Sequence, residues 1–254
     1  MDSGKNKIRS NMKFYLKGAI MVCGLVILAN TIGALIQTKE KHNANILLNA
    51  NFMTTKTEAV KIYKTYMPPH NWTKYVISNS FVLFVPNTVE LREEFDSYTQ
   101  AAKDTYWYGY EINLNDVVFQ QKGLAVKNKE AFNTYARIML RCTVGEKGNY
   151  VKANEHWALS TDDILYFQDL AKQSAGVFEI IDSPKVHWIK LDSTYCIEVQ
   201  YVRKGVENYN TCVSSYYLFN DDKMANIILS YRQQDFQKWE EDFSNVIRTF
   251  KWIN

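Results

Sequence analysis

Residues 18–36 read GAIMVCGLVILANTIGALI, 19 consecutive positions without a charge. As a helix this run spans about 28 Å, close to the hydrocarbon thickness of a bilayer. Lys5, Lys7, Arg9, Lys13 and Lys17 precede it, and only the short polar stretch QTKEKH follows directly. Positive charge on the leading side predicts a cytoplasmic N-terminus and a body delivered across the membrane. The chain is therefore read as a basic n-region (1–17), a transmembrane or signal segment (18–36), a polar stalk (37–55) and one globular domain (56–254). An uncleaved anchor and a cleaved signal peptide both fit. Cleavage after Ala29 or Ala34 puts Ile27 or Ile32 three positions before the cut, where processing favours a small residue. The expected location is the cell membrane, single-pass with the C-terminal domain extracytoplasmic, or the periplasm or medium if the leader is removed.

The formal charge of +3 belongs to the leader. Seven of the 30 basic and two of the 27 acidic residues precede position 43, leaving 23 basic against 25 acidic beyond it. A nucleic-acid binder needs a basic face, and the body has no basic run, so nucleic acid is not an expected partner. An exported body carries Cys142, Cys196 and Cys212, an odd number that allows one disulfide at most. Cys142 shares a strand face with Ala136, Ile138 and Leu140 and reads as a small buried apolar residue. Cys196 and Cys212 fall on successive predicted strands, so pairing between them depends on register.

Hydrophobic period divides the body into elements. In KTEAVKIYKTYM, Ala59, Ile62, Tyr63 and Tyr66 recur at helical spacing and Pro68-Pro69 ends the pattern, which predicts a short helix. KYVISNSFVLFVP alternates, with Tyr75, Ile77, Phe81, Leu83 and Val85 on one parity, and reads as a strand. VVFQQKGL and YARIMLRCTV are further strands joined by a polar loop. STDDILYFQDLAKQSAG has Ser160 or Thr161 to cap, Asp162 and Asp163 in the first turn, Ile164, Phe167 and Ala171 on one face, and Gly176 as the stop. Four strands follow, KVHWIKL, TYCIEVQYVR, CVSSYYLF and ANIILSYR, separated by turn residues. The closing DFQKWEEDFSNVIRTFKW places Phe236, Trp239, Phe243, Val246, Ile247 and Phe250 on one helical face. Many strands with few helices predict an α+β domain, a mostly antiparallel sheet with helices laid on it.

Signatures of chemistry are sparse. The only close glycine pair, Gly145 and Gly148, lies in a predicted hairpin and not at a helix start, and no Gly-x-Ser-x-Gly is present. His42, His70, His156 and His187 are isolated from one another and from the cysteines, whereas zinc sites need closely spaced pairs. His156 and His187 are each followed by Trp, which suits packing on an aromatic ring and leaves a dispersed active site as the alternative. Asp162-Asp163 is accounted for by helix capping. Tyr106, Trp107, Tyr108 and Tyr110 around Gly109 offer a sugar- or protein-binding surface if exposed, and core packing if buried. Gln120, Gln121 and Lys122 start on both faces of their strand at once, as at a strand leaving the core, and would supply hydrogen-bond donors to a ligand. These seven residues are the candidate binding positions; no catalytic residue, metal ligand or cofactor is assigned.

The order FVLFVPNTVELR, DVVFQQKGL, NTYARIML, a single helix, YCIEVQYVR, SSYYLF, IILSYR and a last helix carrying Trp239 before TFKW resembles the PsbP-like domains over residues 72–254. The resemblance implies an α/β/α sandwich and an accessory module that binds a partner, of the kind found in photosystem II extrinsic subunits and in exported bacterial proteins. It carries over no site residue. The expectation for this chain is a non-catalytic binding or assembly module of a bacterial envelope, with a protein partner and a membrane contact through the N-terminal helix. A hydrolase with a dispersed site and a carbohydrate- or lipid-binding domain are the alternatives.

Overall fold

The computed structural model describes residues 60–92, 116–205 and 209–253. The chain divides into two compact units, Met1–Lys56 and Thr57–Asn254, and all described residues belong to the second. The apolar run 18–36 and the aromatic cluster Tyr106, Trp107, Tyr108 and Tyr110 lie outside the described residues. Among the described residues no helix is long and apolar enough to cross a membrane.

Eleven strands and two helices are described. In chain order they are β1 (Lys61–Tyr63), β2 (Thr73–Ile77), β3 (Phe81–Val85), β4 (Val89–Leu91), β5 (Val117–Gln121), β6 (Ala136–Val144), α1 (Thr161–Ala175), β7 (Lys185–Leu191), β8 (Thr194–Lys204), β9 (Asn210–Asn220), β10 (Lys223–Arg232), α2 (Phe236–Ile247) and β11 (Lys251–Trp252). Eight strands form one sheet in the order β1-β7-β8-β9-β10-β6-β5-β4, and three form a second, β11-β3-β2. Every pairing is antiparallel except β1 with β7. This is the mixed α+β architecture with few helices that the strand-rich pattern predicts.

Alternation decides which residues face which layer. Ala136, Ile138, Leu140, Leu218, Ile227 and Leu229 look toward a core shared with Phe81, Leu83 and Val85 of β3 and Trp239, Phe243, Val246 and Ile247 of α2. The opposite face, with Met139, Ile197, Val199, Val213 and Ile228, packs on Phe167, Ala171 and Ala175 of α1. One outer layer is thus helical. The other is a small sheet together with α2, where an α/β/α sandwich would place helices alone.

Two predicted elements take a different form. The helix expected over KTEAVKIYKTYM is instead the parallel edge strand β1, aligned with Ile189 to Leu191. Its helical spacing was accidental: Ile62, one of the supposed face residues, is 69% exposed. The single strand expected over KYVISNSFVLFVP is a hairpin that turns at Ser78 and Asn79, both at positive φ (49° and 50°), with the amide of Ser80 donating to the carbonyl of Ile77. Such a turn matches the twist of the flanking strands. Tyr75 faces Leu83 and Ile77 faces Phe81 across it. Opposed residues here have the same parity, so the alternation runs on through the turn and hides it.

The first long helix is bounded as its sequence predicts. Ser160 caps α1 in a reciprocal box with Asp163, and Gly176 ends it at φ 61°.

Candidate functional site

Of the seven candidate positions, Gln120, Gln121 and Lys122 are described, and they divide by role. Gln121 is buried; its side-chain nitrogen donates to the carbonyls of Ala131 (3.0 Å) and Thr134 (2.7 Å), and its oxygen accepts from the amide of Ala136 (3.2 Å). Both N–H donors of this buried amide are spent on the backbone, so it offers none to a ligand. Gln120 donates to Glu90, whose carboxylate also accepts from the backbone of Gly123 (2.9 Å) and Ala125 (2.8 Å). Burial acts to raise the Glu90 pKa, but these hydrogen bonds outweigh it and hold the carboxyl below its ordinary value. Lys122 stands exposed. The strand does not fray here. Its end is an anchor point for loop 122–133.

Within that loop, Gly123 at φ 97° turns the chain, and its carbonyl accepts from the amide of Asn128, closing the loop at its base. A Cβ on Gly123 would sit 3.2 Å from that of Asn128, so the approach needs glycine as well as the turn does. The Asn128 side chain accepts from the amide of Glu130 and starts a short 3-10 turn, Lys129–Asn133. The loop displays Val126, 79% exposed, and Phe132, 58% exposed. It is tied to the start of α2: Thr134 donates its hydroxyl to Asp235 (2.7 Å), the Trp239 indole donates to Thr134 (2.8 Å), and Arg232 donates to the carbonyl of Asn133 (3.2 Å). At that corner Phe236 is 52% exposed, and the Arg232 guanidinium lies 4.2 Å over the ring of Tyr209. Nothing in the alternation of VVFQQKGL reveals this network, because its partners lie 10 to 15 residues further on.

The two His-Trp dipeptides converge on each other. Trp157 meets Trp188 edge to face at 4.8 Å, and His156 stacks on Tyr195 at 4.1 Å. His156 is therefore packed on an aromatic at the surface, the simpler of its two expected roles. His187 points to the opposite sheet face, where its Nε2 lies 2.8 Å from the buried carboxylate of Glu198. Gln200 donates to the same carboxylate (3.1 Å). The Tyr216 hydroxyl beside it is pushed well up by burial and then by the Glu198 charge. On the same face the Tyr231 hydroxyl donates to Glu240 of α2, and burial followed by that carboxylate raises it too.

Asp162 and Asp163 serve the helix start, and Asp163 additionally accepts from the Trp157 indole (3.3 Å). Among the described residues no group of three or more His, Cys, Asp and Glu side chains is placed to hold a metal ion. Cys142, Cys196 and Cys212 are free thiols. Cys196 stands opposite Leu218 and Cys212 opposite Val202, a six-residue offset that separates the sulfurs by about 20 Å and excludes the bridge left open by the sequence.

No family model matches the chain, and no curated protein matches it in sequence. Solved structures do show similarity. One is a protein from Bacteroides thetaiotaomicron, 8% identical over 72% of this chain and 49% of that one, with a TM-score of 0.44. Another is cyanobacterial PsbP from Synechocystis, 12% identical over 73% and 95%, with a TM-score of 0.41. A third is a Pseudomonas aeruginosa protein of unknown function, 11% identical over 70% and 95%, with a TM-score of 0.35. The chain spans about half the length of the Bacteroides protein. At these scores the likenesses are coarse and say nothing of function.

Proposed function

We propose that the protein is a non-catalytic, extracytoplasmic binding module of a bacterial envelope, held at the membrane by its N-terminal segment or exported from it. The observation that supports this reading is the corner at the start of α2. There Phe236 is half-exposed against Tyr231, four residues after the Arg232 that lies over Tyr209, on a backbone fixed by hydrogen bonds from Arg232 and Thr134. An exposed aromatic with a partly exposed arginine, on a hydrogen-bonded support, is the composition of protein-interface hot spots. The partner is accordingly a protein, and the module turns nothing over.

A photo-crosslinker placed at Gln234, between the two hot-spot residues, tests this in native envelopes. One stoichiometric adduct that disappears in R232A/F236A supports the reading; no adduct, or one indifferent to those substitutions, removes it. Fractionation and N-terminal sequencing of the mature chain decide separately between anchor and cleaved leader.

The His187–Glu198 pair supports a second reading, a hydrolase with a dispersed site. A buried carboxylate on Nε2 orients the imidazole and leaves Nδ1 as the basic atom. Turnover of an ester or amide substrate that is lost in H187A would establish it over the first.

A further inference from the structure

We propose that loop 122–133 is a second contact surface, one that rests on a layer of anionic lipid headgroups. Three features of the loop carry this. It is a closed, exposed turn: the bond from the Asn128 amide to the Gly123 carbonyl closes it, with the Lys127 amide donating to Leu124 inside, and residues 125–130 are all exposed. Its apolar side chains, Val126 and Phe132, are the exposed ones, and they are held outward because Gln121 and Glu90 fix the backbone on both sides. Its charge is basic: Lys122, Lys127 and Lys129 are all exposed. Glu130 is the one carboxylate within the loop; Glu90, which accepts from Gly123, Ala125 and Gln120, and Asp235, which accepts from Thr134, add negative charge at its base. Apolar side chains that enter the headgroup boundary, with lysines in the same loop that stay among the phosphates, are the chemistry of an interfacial contact. A concave acidic protein face could also accept lysines, but a valine left 79% exposed within the turn fits a penetrable surface better. The inference rests on the membrane-side placement proposed above, for which the uncharged run 18–36 is the source.

The test is hydrogen exchange on the full chain reconstituted into nanodiscs of phosphatidylcholine alone, or with a third of the lipid replaced by phosphatidylglycerol. Amides of loop 122–133 should exchange more slowly in the anionic discs, since each lysine adds about fivefold to binding at such a surface. The K122E/K127E/K129E variant should lose that difference while β8 to β10 keep their protection. Equal exchange in both discs, or undiminished protection in the variant, overturns the proposal. So does protection that appears in the zwitterionic discs only when solubilised envelope protein is added, which assigns the loop to a protein partner. A chain that does not enter discs overturns the tether alone. Its co-sedimentation with preformed vesicles of the same two compositions then decides the loop: preference for the anionic vesicles supports the proposal and indifference sinks it.

Discussion

The side-chain nitrogen of Gln121 donates to the carbonyl of Thr134 across 2.7 Å in the interior, and through that bond the end of β5 holds the residue that in turn caps the indole of Trp239. Replacing Gln121 by alanine leaves the carbonyls of Ala131 and Thr134 and the amide of Ala136 without their partner in a site closed to water. An orphaned buried group costs about 1–3 kcal/mol, and relaxation of the loop recovers part of it. Q121A should therefore lose about 2–4 kcal/mol in urea unfolding and raise hydrogen exchange across loop 122–133. A loss below about 0.5 kcal/mol would mean that the network does not hold the loop.

Glu90 gives the same loop a dependence on pH. Its folded pKa lies below the ordinary value of about 4.3, so its stabilising effect is present above that value and disappears as the pH falls through the folded one. Exposure screens the carboxylate, and the global effect should stay below about 1 kcal/mol. The readable quantity is local: wild type should protect the amides of Gly123 and Ala125 better than E90Q near neutral pH, and the two should converge once the pH falls below the folded pKa of Glu90. Protection that differs equally at both pH values would assign the effect to packing.

The thiols report on strand register. Cys196 is fully enclosed, and burial followed by the Glu198 charge raises its pKa; burial followed by Glu240 does the same, less strongly, for Cys212. Alkylation of the folded chain should thus reach the half-exposed Cys142 first, Cys212 slowly, and Cys196 only on unfolding. Non-reducing mass mapping of the body should find all three reduced. A Cys196–Cys212 bridge would require a register other than the one described.

Much of this architecture is legible in the sequence because local signals agree with tertiary demands. Ser160, Asp163 and Gly176 bound α1 by chemistry that acts within one turn. The alternation in YARIMLRCTV survives because both faces of β6 meet packed layers. The failures have the opposite character. β1 is only three residues long and depends on β7, more than 120 positions away, for its pairing, so its own residues carry no strand signal. The Ser78-Asn79 turn leaves parity unchanged and cannot be seen as a break. Gln121 looks like a polar residue leaving the core until the carbonyls that surround it are in place. The candidate surface is hidden for a related reason: Val126 and Phe132 are ordinary apolar residues, and what distinguishes them is the support that keeps them exposed.

The His187–Glu198 pair yields a prediction in which a second substitution repairs the first. In H187A the Glu198 carboxylate stays buried with Gln200 as its remaining side-chain donor besides the neighbouring Tyr216 hydroxyl. An unbalanced buried charge is strongly destabilising, though the partial exposure of His187 lets water reach the gap, so the expected loss is about 1–3 kcal/mol. H187A/E198Q removes the charge while keeping an acceptor for Gln200 and Tyr216, and it should be more stable than H187A alone. E198Q by itself should also lower the pKa of Tyr216, since one of the two groups that raise it has gone; an NMR titration of ring-labelled tyrosine, with the Tyr216 signal assigned by Y216F, reads that. If H187A/E198Q is as unstable as the sum of its parts, the pair is a contact of convenience and the sheet is held there by packing alone.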